Sequence, residues 1–526
     1  MRVRNSIKNI YISILTQIII TLLGFISRRI FLDSLGSEYL GINGLLTNIL
    51  SMLSLVEGGI GGSIVYSLYK PLAEDDREKI ISLVQLYKRA YIVLSGIIFI
   101  LSIALYPILN IVIKESDGIE NLTLVYFIFA FKNIISYLNA HKWSLINADQ
   151  KAYVLAKYNL IFNVITTISK IIILLLTNNY ILYLIVELFI FMIQNIWNGK
   201  IVNKRYSYIR TTKRYKVDEE IKVNLIKNVK AMFLHNIGGY CIFGTDNILI
   251  SVFINLRTVG VYSNYTMIIN QLKGILSPII TGIGASVGNL IAIESKEKSY
   301  EIFNVIYLIN FWIYGFCSII LFNLLEPFIE WWLGKGLLLD KFTFIVILVN
   351  FYITGLRSCI ITFKDKAGIF TNDKYIPIIE SIINLFSSII LVKYLGLVGI
   401  FIGTTISTLL MPFWIQPKLV YNNVFNKSVL IYFEKYIKYL FITLFAGMVN
   451  YICLNYINIH NLFLELVVKG FFSIIIINFI FLLMLFKTKE MKYILRLIKN
   501  ELYINLIKIK DIGESYKEKF SLNNKA

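Results

Sequence analysis

Long apolar blocks separated by polar loops run through most of the chain. An α-helix needs roughly 20 apolar residues to cross the hydrocarbon core of a bilayer, and about fourteen blocks reach that length. They lie near residues 10–31, 43–68, 88–113, 121–141, 155–177, 180–200, 231–254, 261–291, 303–325, 342–363, 375–393, 397–416, 437–457 and 462–486. Continuous runs favour helices over the short alternating strands of a barrel. We therefore predict an all-α integral membrane protein with about fourteen transmembrane helices.

The distribution of basic residues predicts the orientation of the chain in the membrane. The loop at residues 200–230 and the tail at residues 487–525 are rich in Lys and Arg, whereas the loops near residues 177–180 and 457–461 contain neither. Because Lys and Arg collect on the cytoplasmic side, we expect both termini to be cytoplasmic. This topology also accounts for the net charge of +20, so no nucleic-acid partner is expected.

The chain contains an internal duplication. Residues 59–64 and 282–287 share the pattern Gly-Ile-Gly-Gly/Ala-Ser-Ile/Val, and residues 39–42 (Tyr-Leu-Gly-Ile) are echoed at residues 258–261 (Thr-Val-Gly-Val). In membrane proteins such repeats commonly surround a substrate path. The pattern predicts two parallel, pseudo-symmetric six-helix lobes around a central cavity, formed by residues 1–203 and 233–417. A basic cytoplasmic connector, residues 204–232, joins them.

Two segments lie outside the duplication. Residues 418–486 form an additional pair, helices 13 and 14, and residues 487–526 form a basic, amphipathic cytoplasmic tail. One apolar stripe of the tail consists of Met491, Ile494, Leu495, Ile498 and Leu502. The connector has a similar stripe at Ile221, Leu225 and Val229. Both stripes predict helices that lie on the inner surface of the membrane.

Several charged residues lie within the apolar blocks. An ionised side chain at the centre of a span costs about 2.5–3.5 kcal/mol, so those that are present usually face a water-filled cavity or a charged partner. The cations predicted to bind substrate are Arg28, Arg29, Lys132, Lys170, Lys273 and Arg357. They outnumber the acids, which are Glu57, Glu187 and Asp246. A surplus of cations favours an anionic cargo, and arginine in particular binds phosphate through two N–H groups at once.

Two other interpretations apply to some of these residues. Near the ends of spans, long side chains can extend to the headgroups, which applies to Lys170, Glu187 and Lys469. Deeper residues can instead form ion pairs between helices, which applies to Lys132, Lys273, Glu57 and Asp246. We predict that Glu57 and Asp246 act as counter-ions to the cations, or couple transport to a proton or sodium gradient.

No catalytic or metal site is predicted. The four cysteines and three histidines are dispersed, which is atypical of a zinc site, and no glycine-rich phosphate-binding loop with its lysine occurs. The adjacent aspartates Asp75 and Asp76 lie in a short charged loop and are best explained as solvated charges. We therefore expect a protein that is not an enzyme and that has no cofactor apart from a coupling ion.

These residues also carry a resemblance to a known family. The matching segments are residues 28–31 (Arg-Arg-Ile-Phe), 35–45 (Leu-Gly-Ser-Glu-Tyr-Leu-Gly-Ile-Asn-Gly-Leu), 55–61 (Leu-Val-Glu-Gly-Gly-Ile-Gly), 69–72 (Tyr-Lys-Pro-Leu), 244–251 (Gly-Thr-Asp-Asn-Ile-Leu-Ile-Ser) and 270–272 (Asn-Gln-Leu). With them the chain resembles the polysaccharide-synthesis branch of the multidrug/oligosaccharidyl-lipid/polysaccharide exporter superfamily. Lipid II flippases are similar at Glu57-Gly58, but they carry an arginine ahead of this pair, where this chain has Met52 and Leu53. Peptidoglycan precursor is therefore not assigned as the cargo.

The resemblance implies a flippase of the bacterial cytoplasmic membrane. Its cargo would be a polyprenyl-pyrophosphate-linked oligosaccharide, carried by alternating access for the synthesis of capsule, O-antigen or exopolysaccharide. The implied partners are this lipid-linked oligosaccharide, membrane lipids, a polysaccharide polymerase and glycosyltransferases. One alternative is a multidrug or cation antiporter of the same superfamily, which would need an acidic cavity. A less favoured alternative is a membrane glycan polymerase or glycosyltransferase.

Overall fold

The computed structural model describes residues 2–57, 60–113, 121–149, 151–217, 244–369 and 375–496, with isolated residues 119, 219, 223, 240, 373 and 499 between and after them. Regular structure in these residues is helical. The helices are α1 Arg2–Leu53, α2 Ile60–Glu74, α3 Arg77–Leu105, α4 Leu109–Val112, α5 Leu122–Leu138, α6 Ala140–Ala148, α7 Tyr153–Thr177, α8 Tyr180–Arg205, α9 Asp246–Phe253, α10 Leu256–Ile293, α11 Lys296–Leu333, α12 Lys341–Lys366, α13 Ile376–Leu395, α14 Leu397–Leu410, α15 Pro412–Val420, α16 Leu430–Asn455 and α17 Leu462–Leu485.

Many of these helices can span a membrane. Within the described ranges, nine helical segments are long and apolar enough to do so, and the bent pair α5 and α6, whose axes meet at 47°, can form a tenth. The prediction of an all-α integral membrane protein is therefore confirmed. Half of the seventh predicted span, near residues 231–254, lies outside the described residues, so the count of fourteen stays a prediction.

Helix α1 differs from the predicted arrangement of the first two spans. Instead of ending in a loop near residue 31, the chain stays helical to Leu53 and is interrupted only by a kink at Gly36, where φ is 83° and ψ is 179°. Only glycine adopts this backbone conformation without strain. A 3₁₀ turn, Ser54–Glu57, then interrupts the second predicted span and places Glu57 at the break.

Helices α1 and α10 approach each other closely at two glycines. A Cβ atom added to Gly41 would lie 2.2 Å from the carbonyl oxygen of Leu256, and one added to Gly260 would lie 2.0 Å from that of Ser37. The two contacts are equivalent, because Leu256 and Gly260 follow Ser37 and Gly41 by the same 219 residues. Such reciprocal pairing of equivalent residues is what a two-fold axis produces. It agrees with a parallel arrangement of the two repeats.

The chain forms two compact units. The first consists of Met1–Gly282, Ile329–Asn350 and Phe370–Ile415, and the second of Ile283–Phe328, Phe351–Ile369 and Gln416–Ala526. The first unit therefore contains α1 to α9 together with parts of the second repeat. The predicted lobes, residues 1–203 and 233–417, divide the chain by sequence repeat, and their boundaries stay a prediction.

The second unit has an aromatic core. The ring centroids of Phe303 and Tyr307 lie 5.7 Å apart, those of Tyr307 and Tyr432 lie 5.3 Å apart, and all three side chains are buried. Offset and edge-on ring contacts of this kind stabilise a core beyond the area that they bury. In this unit α11 and α16 therefore pack through tyrosine and phenylalanine.

The start of the predicted tail is attached to the second unit. Lys435 Nζ donates hydrogen bonds to Glu490 Oε1 at 2.5 Å and to Asn304 Oδ1 at 2.9 Å. Burial alone would raise the pKa of the Glu490 carboxyl, but the hydrogen bond and charge of Lys435, a backbone hydrogen bond and the charge of Lys438 together hold this pKa below its ordinary value. Met491 is buried in the protein and is therefore not free to contact headgroups. Of the other residues in the tail stripe, Ile494 is half-buried and Leu495 is exposed. Ile498, Leu502 and the connector stripe lie outside the described residues.

The glycine contact between α1 and α10 gives a first prediction. Gly260→Ala places a methyl group against the Ser37 carbonyl, and we expect it to lower the free energy of unfolding by about 1–3 kcal/mol. Thermal unfolding of the purified protein in detergent measures this loss. Gly96→Ala in α3 is the control, because nothing lies within 4 Å of the added Cβ and alanine favours helices. Equal melting temperatures for Gly260→Ala and the wild type would contradict the close contact.

Candidate substrate-binding site

A cavity of about 370 Å³ lies in the first unit, between α1, α7, α8 and α10. Its polar wall is formed by Ser27, Arg28, Asn43, Asn163, Thr167 and Tyr183. The rest of the wall is formed by Ile20, Leu23, Gly24, Phe31, Leu40 and Met267. The cavity therefore combines one cation with uncharged amide and hydroxyl groups on an apolar background, an arrangement typical of small-molecule sites.

Arg28 is the charged group of this wall. Its Nη2 donates to the carbonyl oxygen of Ser263 at 2.7 Å and to the Ser263 hydroxyl at 3.2 Å. No described carboxylate forms an ion pair with Arg28, and its Nε atom has no hydrogen-bond partner among the described residues. The guanidinium is thus without a carboxylate partner in the described chain, and its Nε is a buried donor with no acceptor.

The counterpart of Arg28 in the second repeat is uncharged. Asn247 follows Arg28, and Ser263 follows Gly44, by the same 219 residues that relate Gly41 to Gly260. Arg28 contacts Ser263, and Asn247 approaches Gly44, where an added Cβ would lie 3.4 Å from Nδ2 of Asn247. The two contacts are related as a two-fold axis would relate them. Only the contact from the first repeat contains a cation.

Three helices meet at an ion cluster next to the cavity. Glu187 on α8 accepts hydrogen bonds from Lys132 on α5 and from Lys170 on α7. The Nζ atom of Lys170 also lies 4.2 Å from the ring centroid of Tyr183, which lines the cavity. One carboxylate is shared by two ammonium groups, so the cluster has a net positive charge, to which Arg28 adds another.

The cluster decides between the interpretations of its members. The side chains of Lys170 and Glu187 are only 16% and 20% exposed, and their charged groups meet each other between helices. The interpretation that these two residues extend to the headgroups is therefore wrong, because each has a partner of opposite charge at closer range. For Lys132 the expected alternative, an ion pair between helices, is what the structure contains.

The other predicted cations do not line this cavity. Arg29 is exposed and lies 3.8 Å from Asp33 on the same helix. Lys273 lies on α10, two residues from Gln271, which accepts hydrogen bonds from Gln17 and Thr21. Arg357 belongs to the second unit, where it is buried and donates to Gln416 Oε1 at 3.1 Å. The structure thus brings Arg28, Lys132 and Lys170 together, and leaves Arg29, Lys273 and Arg357 outside their cluster.

Glu57 and Asp246 are bonded to tyrosines. Glu57 Oε1 accepts from the hydroxyl of Tyr91 at 2.9 Å, and Asp246 Oδ2 accepts from the hydroxyl of Tyr262 at 3.4 Å. Neither carboxylate forms an ion pair with a Lys or Arg in the part of the chain that the structure describes. The prediction that they are counter-ions to Arg28, Lys273 or Arg357 is therefore not met in this structure.

Sequence reasoning missed the uncharged polar wall. On α7, Asn159, Asn163, Thr167 and Lys170 recur at intervals of four, four and three residues, which places them on one helical face. Asn159 Oδ1 accepts hydrogen bonds from Gln194 at 3.0 Å and from Asn198 at 2.7 Å. This polar stripe in an otherwise apolar span is visible in the sequence and would have indicated the face that lines the cavity.

Comparison with known proteins identifies the family. The family model described as "Polysaccharide biosynthesis protein" matches residues 6–283, just over half of the chain. The chain belongs to this family. No curated protein sequence matches the chain.

Several solved structures have a fold similar to that of this chain. Lipid II flippase MurJ in an inward closed conformation has a TM-score of 0.65 at 15% identity, covering 90% of this chain and 99% of its own. An inward-facing multidrug resistance MATE transporter has a TM-score of 0.60 at 13% identity, and the match covers 77% of this chain and 98% of the transporter. A MOP superfamily transporter from Pyrococcus furiosus has a TM-score of 0.52 at 12% identity, and the match covers 81% of this chain and 96% of the transporter. At these identities the likeness establishes the fold alone, an all-helical fold that this chain shares with a lipid II flippase and with multidrug transporters.

The ion cluster gives a second prediction. Glu187→Gln leaves two ammonium groups without a shared carboxylate, and we expect a loss of about 3 kcal/mol in the free energy of unfolding. Thermal unfolding in detergent measures this loss, and Lys132→Met in the same protein should restore part of it. The control is Glu465→Gln, which breaks the pair with Lys469 on one helix and should cost about 0.5 kcal/mol or less. Equal losses for the two glutamates would contradict the bridging role.

Proposed function

We propose that the protein carries a polyprenyl-pyrophosphate-linked oligosaccharide across the cytoplasmic membrane, for the synthesis of a cell-surface polysaccharide. The observation that supports this cargo is the cavity wall in which Arg28, without a carboxylate partner among the described residues, lies beside amide and hydroxyl groups. A guanidinium matches the oxygens of a phosphate, and uncharged polar groups match those of a sugar.

The positive charge around this cavity favours an anion over a cation. Arg28 and the Lys132–Glu187–Lys170 cluster together carry a net positive charge, which would repel the organic cations of a multidrug antiporter. The MATE transporters share the fold, so the fold alone does not decide between the two cargoes. The positive charge of the cavity supports the pyrophosphate over an organic cation.

The two parts of such a cargo need different surroundings. Pyrophosphate and sugars require a polar route, because moving a charge into hydrocarbon without a partner costs many kcal/mol. The polyprenyl tail can remain in the lipid. In this proposal Arg28 binds the pyrophosphate directly, while Lys170 and Lys132 raise the local positive potential. Arg29, Lys273 and Arg357 stay predicted substrate-binding residues outside this cavity.

The contact between α1 and α10 supports an alternating cycle. In the predicted orientation, with both termini cytoplasmic, the end of the first unit at which Gly41 meets Gly260 faces the outside. Arg28 contributes to closing this end through its hydrogen bonds to Ser263. An anion that competes for the guanidinium would weaken these bonds, so binding of cargo would favour opening to the outside. Delivery to the outer face would then provide substrate for a polysaccharide polymerase, after glycosyltransferases have built the glycan inside.

A third prediction tests the role of Arg28. Arg28→Gln removes charge-assisted hydrogen bonds worth about 1.5–3 kcal/mol each, so transport of lipid-linked oligosaccharide into the outer leaflet of proteoliposomes should fall at least about tenfold. Arg28→Lys should retain part of the activity. The control Lys469→Met removes a membrane-embedded lysine in α17, outside the cavity, and should leave the rate unchanged. Full transport by Arg28→Gln at normal protein levels would refute the assignment.

We also propose that Asp246 couples transport to a proton or sodium gradient. Its side chain is buried, and Oδ1 has no hydrogen-bond partner among the described residues. A buried carboxylate with a free oxygen can take up a cation. Glu57 is partly exposed and its Oε1 is already bonded to Tyr91, so we assign it a structural role.

A fourth prediction separates these two acids. In proteoliposomes with an imposed proton or sodium gradient, Asp246→Asn should transport at the same rate with and without the gradient, because the group that takes up the ion is gone. Glu57→Gln should keep the dependence of the wild type on the gradient. If Asp246→Asn still responds to the gradient as the wild type does, the coupling role belongs elsewhere.

A further inference from the structure

We propose that the side chains next to Arg28 form a subsite for the first sugar attached to the pyrophosphate, with Asn163 and Thr167 as its principal hydrogen-bonding groups. This inference rests on the proposed function and adds to it the part of the cargo that the cavity recognises. Arg28 binds the phosphate, and the face of α7 opposite it binds the sugar.

The subsite is built from two helices. Asn163 and Thr167 are four residues apart on α7 and therefore lie one above the other on the same face. Ser27 and Asn43 come from α1, on the two sides of its kink at Gly36. All four residues line the same cavity as Arg28, so a phosphate on the guanidinium would have these groups around the atoms attached to it.

These four side chains have no protein partner to occupy them. None of them forms a side-chain hydrogen bond to another residue within the described ranges. An amide or hydroxyl without a partner is unfavourable in an apolar environment. In a membrane-embedded wall such groups therefore need water or a ligand, and the cavity that they line provides room for either.

Other polar residues on the same face of α7 do have hydrogen-bond partners, so the lack of partners is confined to the part of this face that lines the cavity. One turn before Asn163, Asn159 accepts hydrogen bonds from Gln194 and Asn198 on α8. Three residues after Thr167, Lys170 donates to Glu187 on α8. Asn159 and Lys170, which hold α7 against α8, are thus hydrogen-bonded to α8. Asn163 and Thr167, which lie between them on α7 and face the cavity, are not. Helix packing accounts for the paired groups but gives no reason for the open ones.

The chemistry of the open groups fits a sugar ring. Each sugar hydroxyl both donates and accepts, and an asparagine amide together with a threonine hydroxyl provides both functions. Apolar side chains such as Leu23, Phe31 and Met267 can pack against the C–H groups of the ring. Among the described lining residues Arg28 is the one cation, so the pyrophosphate is matched by its guanidinium, and the uncharged groups on α7 match sugar hydroxyls better than phosphate oxygens.

The size of the cavity limits what it recognises. Its volume of about 370 Å³ lies near the lower end of small-molecule sites, which span about 300–1,000 Å³. This is room for one sugar beside the pyrophosphate and not for a whole oligosaccharide. The subsite therefore recognises the sugar nearest the pyrophosphate. The remaining sugars of the glycan lie outside the cavity and are not recognised by it.

Binding to the purified protein in nanodiscs tests the subsite. The probes are undecaprenyl pyrophosphate without sugar, and the same lipid carrying one hexose or one N-acetylhexosamine. We expect Thr167→Val, which keeps the shape of the side chain, and Asn163→Leu each to weaken binding of the preferred sugar-bearing probe about tenfold, because each removes a hydrogen bond. Neither should change binding of the sugar-free lipid. Arg28→Gln should weaken all probes.

The matched control is Thr166→Val. It removes a hydroxyl from the residue beside Thr167 that does not line the cavity, and it should leave binding of every probe unchanged. Thermal unfolding of each variant shows that it is folded.

The outcomes separate this inference from the proposed function. The subsite is refuted if Asn163→Leu and Thr167→Val bind the sugar-bearing lipids as the wild type does. It is also refuted if these variants lose as much affinity for the sugar-free lipid as for the sugar-bearing ones. Water alone would then hydrate these side chains. If the wild type binds no pyrophosphate lipid at all, the proposed function itself fails, and the subsite with it.

Discussion

The close contact between α1 and α10 is the constraint on which the first unit depends. Two glycines, Gly41 and Gly260, let the backbones approach so closely that no side chain would fit at either position. This approach places Ser263 within reach of Arg28 and Met267 beside Gly24. The wall of the cavity between α1 and α10 therefore forms because Gly41 and Gly260 lack a side chain. The repeat of residues 39–42 at residues 258–261 has a glycine at this position in both copies.

Much of the fold follows from the sequence because hydrocarbon imposes simple rules. Long apolar runs must be helical to satisfy their backbone groups. For Lys132, predicted to bind substrate, the structure contains the ion pair between helices that was the alternative interpretation. Arg28 and Arg29 show what the sequence does not predict. Successive residues on a helix point about 100° apart, so one guanidinium lines the cavity and the other is exposed beside Asp33. The sequence alone does not provide the rotation of α1 that decides between them.

The same limit explains the ion cluster and the open polar wall. Glu187 bridges Lys132 and Lys170 only because α5, α7 and α8 pack with these faces together. The positions of Lys170 and Glu187 near span ends gave equal reason to expect contact with headgroups. Asn163 and Thr167 follow a helical interval that can be read from the sequence, yet which polar groups are paired across α7 and α8 depends on the packing of the helices.

Duplication has produced two halves that differ at one decisive position. An assembly of two identical copies would present a guanidinium from each, and an anion could bind on either side of the axis. Here the position equivalent to Arg28 is Asn247, so this pair of equivalent positions has one cationic side chain per molecule. Two repeats within one chain can diverge in this way, whereas two identical subunits cannot.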